Sequence, residues 1–275
     1  MGVLEGKTAI VTGASRGIGE YIARRFASEG AAVAVAARTV EQHDERFPGT
    51  IFETVDIIRR AGGIALAVPT DLSRAEDRAR LVETTTGELG PVDILVNNAA
   101  VTYFLPVLEF PEARFDLMFE VQVRAPFELS QLVLPGMKER GSGWILNISS
   151  GAARHPRVPP PSGAAAGRGG TVYGMVKAAI ERFSTGLASE VYGDGIAVNA
   201  LSPSRGVMTP GVVYHFGVSD PAARIADGTA EAPEVMAEAA LALCSGDPAE
   251  LTGRVTYSQA LLDELGRTPG PLDGA

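Results

Sequence analysis

Short, unbroken apolar runs alternate with helical segments along most of this chain, and that alternation constrains the fold more than any other feature. The runs are Lys7–Thr12, Ala32–Ala37, Ile64–Val68, Ile94–Asn97, Trp144–Ile148 and Ile196–Leu201. Each is too short for a typical helix and apolar at consecutive positions, which predicts strands buried on both faces. Ile18–Glu29 has helical spacing, with Gly30 as its stop signal, and further helical segments cover roughly Phe52–Arg60, Ala75–Leu89, Glu112–Glu139 and Val172–Tyr192. Strands alternating with helices imply an α/β fold, a doubly wound parallel sheet covered on both sides. The alternation never breaks, so a single domain over residues 1–275 is expected.

Four features qualify this pattern. Pro126 falls inside the long Glu112–Glu139 segment and predicts a kink there. Residues 155–170, with Pro156, Pro159, Pro160, Pro161 and several glycines, read as a loop of unusual length, the kind that often carries function. Residues 203–233 read as irregular with one short helix, and the tail after Gln259 is expected to fray.

Composition removes several classes of function. The formal net charge is −9, which argues against nucleic acid as a partner, since phosphate neutralisation needs a basic footprint. No apolar run is long enough for a membrane span, and the first residues carry no basic segment followed by an apolar one. Gly6 stands where a myristoylation signal needs Ser or Thr, so a cytoplasmic protein is expected. Cys244, the sole cysteine, lies in an apolar helical stretch and reads as a packed thiol. With three scattered histidines, no metal-ligand spacing exists; His43 reads as a surface residue, His155 and His215 as loop residues.

Three short motifs carry chemistry. Thr12-Gly13-Ala14-Ser15-Arg16-Gly17-Ile18-Gly19 joins the first strand to the first helix, and a glycine turn opening a helix can hold a dinucleotide pyrophosphate. Gly13 can leave the strand with positive φ, while Gly17 and Gly19 permit close backbone approach. Tyr173 and Lys177, four positions apart, share one helical face, so a phenol and an ammonium can serve one site. Ser150 closes an apolar run ahead of them. Together they point to a nicotinamide-dependent oxidoreductase.

With Asp71-Leu72, Asn97-Asn98-Ala99-Ala100 and Asn199-Ala200-Leu201-Ser202-Pro203 in this order, the chain resembles the short-chain dehydrogenase/reductases from about Lys7 to Tyr257. The resemblance implies a Rossmann-like sheet of about seven strands with a nicotinamide cofactor across their C-terminal ends. Tyr173 would be the general acid in carbonyl reduction and the base in reverse. A free phenol has a pKa near 10, and Lys177 with the oxidised nicotinamide would lower it. Lys177 would also hold the nicotinamide ribose, and Ser150 would orient the substrate oxygen. Gly13, Ser15, Arg16, Gly17, Ile18 and Gly19 would form the phosphate turn. Asp71 and Leu72 would meet adenine, Asn97 would close the ribose side beside Ala99, and Pro203, Val207 and Thr209 would receive the carboxamide.

The chain departs from the family pattern in three places. Gln122 stands where the family has an Asn supporting a water in the proton relay, so the relay is expected to be altered, and Gln122 is counted with the catalytic set. The Ser150–Tyr173 separation is about ten residues longer than usual. The Pro/Gly-rich loop accounts for the excess and should border the substrate mouth, with a tolerated surface insertion as the alternative. Pro203-Ser204-Arg205-Gly206-Val207-Met208-Thr209 carries its Thr one residue later than the usual arrangement.

The second strand ends in Ala36-Ala37-Arg38-Thr39, without the acid that would accept from a ribose hydroxyl and repel a 2′-phosphate. Arg38, supported by Arg16, favours NADP(H), and NAD(H) stays open. Tyr103, Phe104, Leu105, Pro106, Val158, Val212, Val213, Tyr214 and Phe216 suggest an apolar alcohol, ketone or aldehyde as substrate, terpenoid-like in the nearest analogy. A 3-oxoacyl thioester reductase and a non-catalytic dinucleotide-binding sensor are the alternatives. A homodimer or homotetramer through the fourth and fifth helices is the expected assembly.

Overall fold

The computed structural model describes residues 2–42, 45, 47–158, 169–270 and 272. Seven strands form one parallel sheet: β1 (Thr8–Thr12), β2 (Ala32–Ala37), β3 (Ile64–Pro69), β4 (Ile94–Asn97), β5 (Gly143–Ile148), β6 (Ile196–Ser202) and β7 (Val255–Tyr257). Their spatial order is β3-β2-β1-β4-β5-β6-β7. The order reverses between β1 and β4, which opens a crevice at the C-terminal ends of those two strands. This is the doubly wound α/β architecture expected from the alternation, and the Rossmann-like sheet that the resemblance implied. Val255–Tyr257 is too short and too polar to register as an apolar run.

The helices flank the sheet on both sides. Against one face lie α1 (Gly17–Ser28), α2 (Ile51–Arg60), α9 (Pro233–Ser245) and α10 (Ser258–Leu265); against the other lie α3 (Ala75–Leu89), α5 (Ala125–Arg140) and α6 (Thr171–Glu190). Ala9 and Val11 pack under the first layer with Phe26, Ile22 and Met236. Ile10, between them, packs into the second layer with Leu81, Leu129 and Met137. Alternate residues of each strand enter opposite cores, so apolar residues run at consecutive positions. Cys244 is buried in the first layer, and burial pushes its thiol pKa up.

The long fourth helical segment is not one kinked helix. α4 (Glu112–Phe119) passes through a π turn at Glu120–Arg124 into α5. Pro126 follows this π turn by two residues, so its missing N–H and the π turn interrupt the same stretch of the helical hydrogen-bond ladder. Buried Arg78 of α3 spans this junction, reaching Glu120 at 2.8 Å and Glu128 at 2.6 Å. Residues 203–233 contain two short helices, α7 (Pro210–Phe216) and α8 (Pro221–Ala226), where one was expected. The tail does not fray directly after Gln259: α10 anchors it through Leu261 and Leu262. His43 and the centre of the 155–170 loop, including Pro159, Pro160 and Pro161, lie outside the described residues.

Candidate active site

The glycine turn is built against the end of β4. Thr12 donates its hydroxyl to the Val96 carbonyl and accepts the Asn98 and Ala99 amides at 3.0 and 3.2 Å. Asn98 Nδ2 donates to the Thr12 and Gly13 carbonyls at 2.8 and 3.2 Å. Gly13 has φ +66°, and a Cβ there would lie 2.7 Å from the Ala99 Cα. Gly17 opens α1 with φ +59°, and the preceding Arg16 supplies no side-chain cap. The first amides of α1 are therefore available to an anion, with the helix dipole behind them. The Arg16 guanidinium donates to the Gly49 carbonyl at 2.8 Å.

From this turn two connected hollows extend. A recess of about 220 Å³ is lined by Gly13, Ser15, Arg16 and Arg38 on one side and by Asp71, Leu72, Asn98 and Ala99 on the other. Arg38 is exposed and, among the described residues, makes no hydrogen bond or ion pair. The Asp71 carboxylate is occupied by the Ser73 amide and hydroxyl at 3.0 and 2.8 Å. A larger cleft of about 1110 Å³ runs in the other direction, past Gly17 and Ile18 to Ser150, Tyr173 and Lys177, with Pro203, Val207 and Thr209 on its far wall.

Ser150 follows β5 and Tyr173 lies in the first turn of α6, so the end of the sheet and the start of a helix bring them together. Burial pushes the Tyr173 phenol above its ordinary value, and the hydrogen bond with Ser150 opposes that only in part. The protein's own groups thus favour the neutral phenol. Lys177 is buried, its Nζ 5.7 Å from the Tyr173 ring centroid and donating to the Ile148 carbonyl at 2.9 Å. Burial lowers its pKa to about 8, against the charge of Glu181 one helical turn on. The Ser149 hydroxyl donates to Glu181 Oε1 at 2.7 Å and fixes that carboxylate.

The far wall is held by a buried acid that the sequence did not single out. The Glu231 carboxylate accepts the Ser204 amide at 3.1 Å and the Ser258 hydroxyl at 2.6 Å, while its own amide donates to the Gly206 carbonyl at 3.0 Å. Burial raises its pKa, with the Ser258 hydrogen bond opposing. Glu231 therefore pins the longer segment between Pro203 and Thr209 at Ser204 and at Gly206. An acid this far from any motif gives no signal in the sequence.

Three expected site residues line neither hollow. Gly19 packs beneath the turn. Asn97, the last residue of β4, is buried, with its amide donating to Asn147 at 2.9 Å. Its neighbour Asn98 reaches the hollows instead. Gln122 is buried in the π turn, its Nε2 donating to the Val101 carbonyl at 2.8 Å and its Oε1 without a protein partner among the described residues. Of the apolar set, Tyr103, Phe104, Leu105, Val212 and Phe216 line the cleft, while Val158 is almost fully exposed. Phe104 meets the Tyr173 ring edge-on at 5.6 Å. Arg114 and His215 also line the cleft.

Comparison with known proteins points one way. A family model described as short chain dehydrogenase matches residues 7–212. A short chain dehydrogenase of Pseudocercospora fijiensis is 40% identical over 74% of this chain, and Hydroxysteroid dehydrogenase-like protein 2 of Xenopus tropicalis is 33% identical over 96%. The chain spans 60% of the length of each of these two relatives. The 7alpha-hydroxysteroid dehydrogenase of Escherichia coli is 33% identical, with 95% of this chain and 96% of that protein covered. Among crystal structures, a short chain dehydrogenase of Mycobacterium thermoresistibile superposes with a TM-score of 0.80 at 34% identity, covering 97% of this chain and 92% of the other. A metagenomic short-chain oxidoreductase in complex with NADP scores 0.73 at 28% identity, covering 93% and 98%. A 7 alpha-hydroxysteroid dehydrogenase complexed with NADH scores 0.76 at 31%, covering 92% and 93%.

Proposed function

The chain belongs to the short-chain dehydrogenase family of oxidoreductases, and from that premise we propose that it interconverts an apolar alcohol and its ketone or aldehyde with NADP(H) as the preferred cofactor. The observation that carries this reading is the convergence of Ser150, Tyr173 and Lys177 on one cleft beside the glycine turn. The residues fit a dinucleotide: uncapped amides of α1 for the pyrophosphate, the recess between Arg38 and Leu72 for adenosine, and the Val207–Thr209 wall for the carboxamide. When bound, the cofactor supplies or accepts the hydride. Ser150 holds the substrate oxygen, Tyr173 gives it a proton in reduction or takes one in oxidation, and the Lys177 ammonium stabilises the phenolate formed in the reductive direction.

Arg38 supports the choice of NADP(H). It is an unengaged cation at the recess, Arg16 lies on the same rim, and no acid ends β2 to repel a 2′-phosphate. Gln122 enters the reading as a positioning residue for the Val101 segment, since its amide is committed there. Exposed Phe127 and Leu132 on α5, with Phe183 of α6 beside Phe127, support a homo-oligomer through those helices. Among the described residues no helix is long and apolar enough to cross a membrane.

The test is a screen at the nicotinamide absorbance band with NADP(H) and NAD(H) against aliphatic, terpenoid and alicyclic alcohols and the matching carbonyls. Turnover with NADP(H) exceeding that with NAD(H) supports the reading. Turnover only with 3-oxoacyl thioesters replaces the substrate class, and cofactor binding without turnover of any of these substrates favours a dinucleotide sensor.

A further inference from the structure

The protein carries a formal charge of −9, yet the residues lining its large cleft include no Asp or Glu. They include three cationic side chains, Arg16, Arg114 and Lys177, and the imidazole of His215. Two of the cations have work assigned by their surroundings. Lys177 sits against Tyr173 and the Ile148 carbonyl, and Arg16 sits in the glycine turn against the Gly49 carbonyl. Arg114 has none.

Arg114 projects from α4 with its guanidinium carbon 4.7 Å from the centroid of the Tyr103 ring. Among the described residues its side chain makes no hydrogen bond or ion pair, while its backbone amide donates to the Pro111 carbonyl at 3.1 Å. The next residue, Phe104, places its ring against Tyr173, so Arg114 belongs to the same wall as the reacting phenol. Stacking on an aromatic face fixes the plane of a guanidinium and leaves its N–H edges free. Those edges form a fork that matches a carboxylate in two parallel hydrogen bonds. The rest of this wall, Tyr103, Phe104 and Leu105, is apolar or aromatic.

We propose that the substrate is amphipathic, an apolar oxo compound or alcohol whose end remote from the reacting carbon carries a carboxylate received by Arg114. This rests on the oxidoreductase reading of the same cleft and adds the charged half of the substrate. Arg114 acts as a specificity residue and takes no part in proton transfer.

The test uses the full chain with NADPH, a series of medium-chain (ω−1)-oxo acids and their methyl esters, and the variants Arg114→Gln and Arg114→Lys. Arg114 is exposed, so neither change disturbs a core. The acids are expected to be preferred over the esters. Arg114→Gln is expected to reduce the acid-to-ester ratio of kcat/KM about fivefold, through KM, the upper end for one charge pair at an accessible site. Arg114→Lys is expected to recover part of the ratio, since an ammonium keeps the charge and lacks the fork. Equal handling of acid and ester by the native chain, a ratio unchanged in Arg114→Gln, or a preference for coenzyme A thioesters over both would overturn the proposal. Calorimetric binding of decanoate to the protein loaded with NADP separates its failure from that of the oxidoreductase reading. Decanoate binding lost in Arg114→Gln, without turnover of any oxo compound, keeps the anion site and removes the enzyme reading. Ester turnover without decanoate binding removes the anion site and keeps the enzyme.

Discussion

The Asn98 amide nitrogen lies 2.4 Å from where a Cβ on Gly19 would stand. The same nitrogen holds the Thr12 and Gly13 carbonyls, so the third glycine of the turn is required by the side chain that braces the first. Gly19→Ala is therefore expected to displace Asn98 and loosen the whole turn. Overpacking of this kind costs about 1–3 kcal/mol. Denaturant unfolding should show that loss, and calorimetry should show weaker NADP binding. An alanine variant with native stability and affinity would mean that both Asn98 and the Gly13 carbonyl, 2.5 Å from the same Cβ, move aside freely.

Lys177 gives a pH signature. With its pKa lowered to about 8, the buried ammonium discharges as pH rises through that value, and kcat/KM for carbonyl reduction is expected to fall there. Stability should move the opposite way. Between about 8 and the usual lysine value the unfolded chain binds more protons than the folded one, so stability attributable to this group rises with pH. Comparing urea midpoints of the native chain and Lys177→Met across that window isolates it. A difference that stays flat with pH contradicts the burial argument.

Glu231 carries the reverse sign. Its folded pKa is raised, so its contribution is full below the unfolded value and is lost as pH rises through the folded one. Glu231→Gln should remove that decline from the pH–stability curve. It should also raise the KM for the cofactor, because the Ser204 end of the wall is released from a charged acceptor. An unchanged cofactor KM would show that Ser258 alone holds this segment.

Arg38→Asp tests the cofactor assignment. It removes the exposed cation at the recess beside the glycine turn and installs an acid that can accept from a ribose hydroxyl. The ratio of kcat/KM for NADP(H) over NAD(H) is expected to fall at least tenfold, the equivalent of about 1.4 kcal/mol. A ratio that does not move would place the recognition elsewhere, with Arg16 as the next residue to change.

The parallel sheet was legible because strands buried on both faces carry apolar residues at consecutive positions, and six of the seven contain such a run of three residues or more. Edge strand β7 escaped because three residues give no periodicity. Spacing and motif picked out Ser150, Tyr173 and Lys177. Asn97 was singled out where Asn98 faces the hollows; the motif holds both, and only the register of β4 with β5, pairing Asn97 with Asn147, tells them apart. Pro126 marked where the long helical segment is irregular but not that a π turn lies there, because nothing local marks an extra residue inserted into a helix. Glu231 and Arg114 reach the site from residues distant in sequence, through pairings that tertiary packing alone creates.

The central claim is that Tyr173 moves the proton. Its most direct test is single-turnover reduction by NADPH in the native chain and in Tyr173→Phe, with NADPH affinity measured alongside. Removing the hydroxyl leaves the ring and its contact with Phe104, so affinity is expected to hold while the rate of the chemical step falls by about a hundredfold or more, the scale of a general acid. A rate within a few-fold of native, with affinity retained, would contradict the account and leave the Ser150–Tyr173–Lys177 cluster without its assigned chemistry.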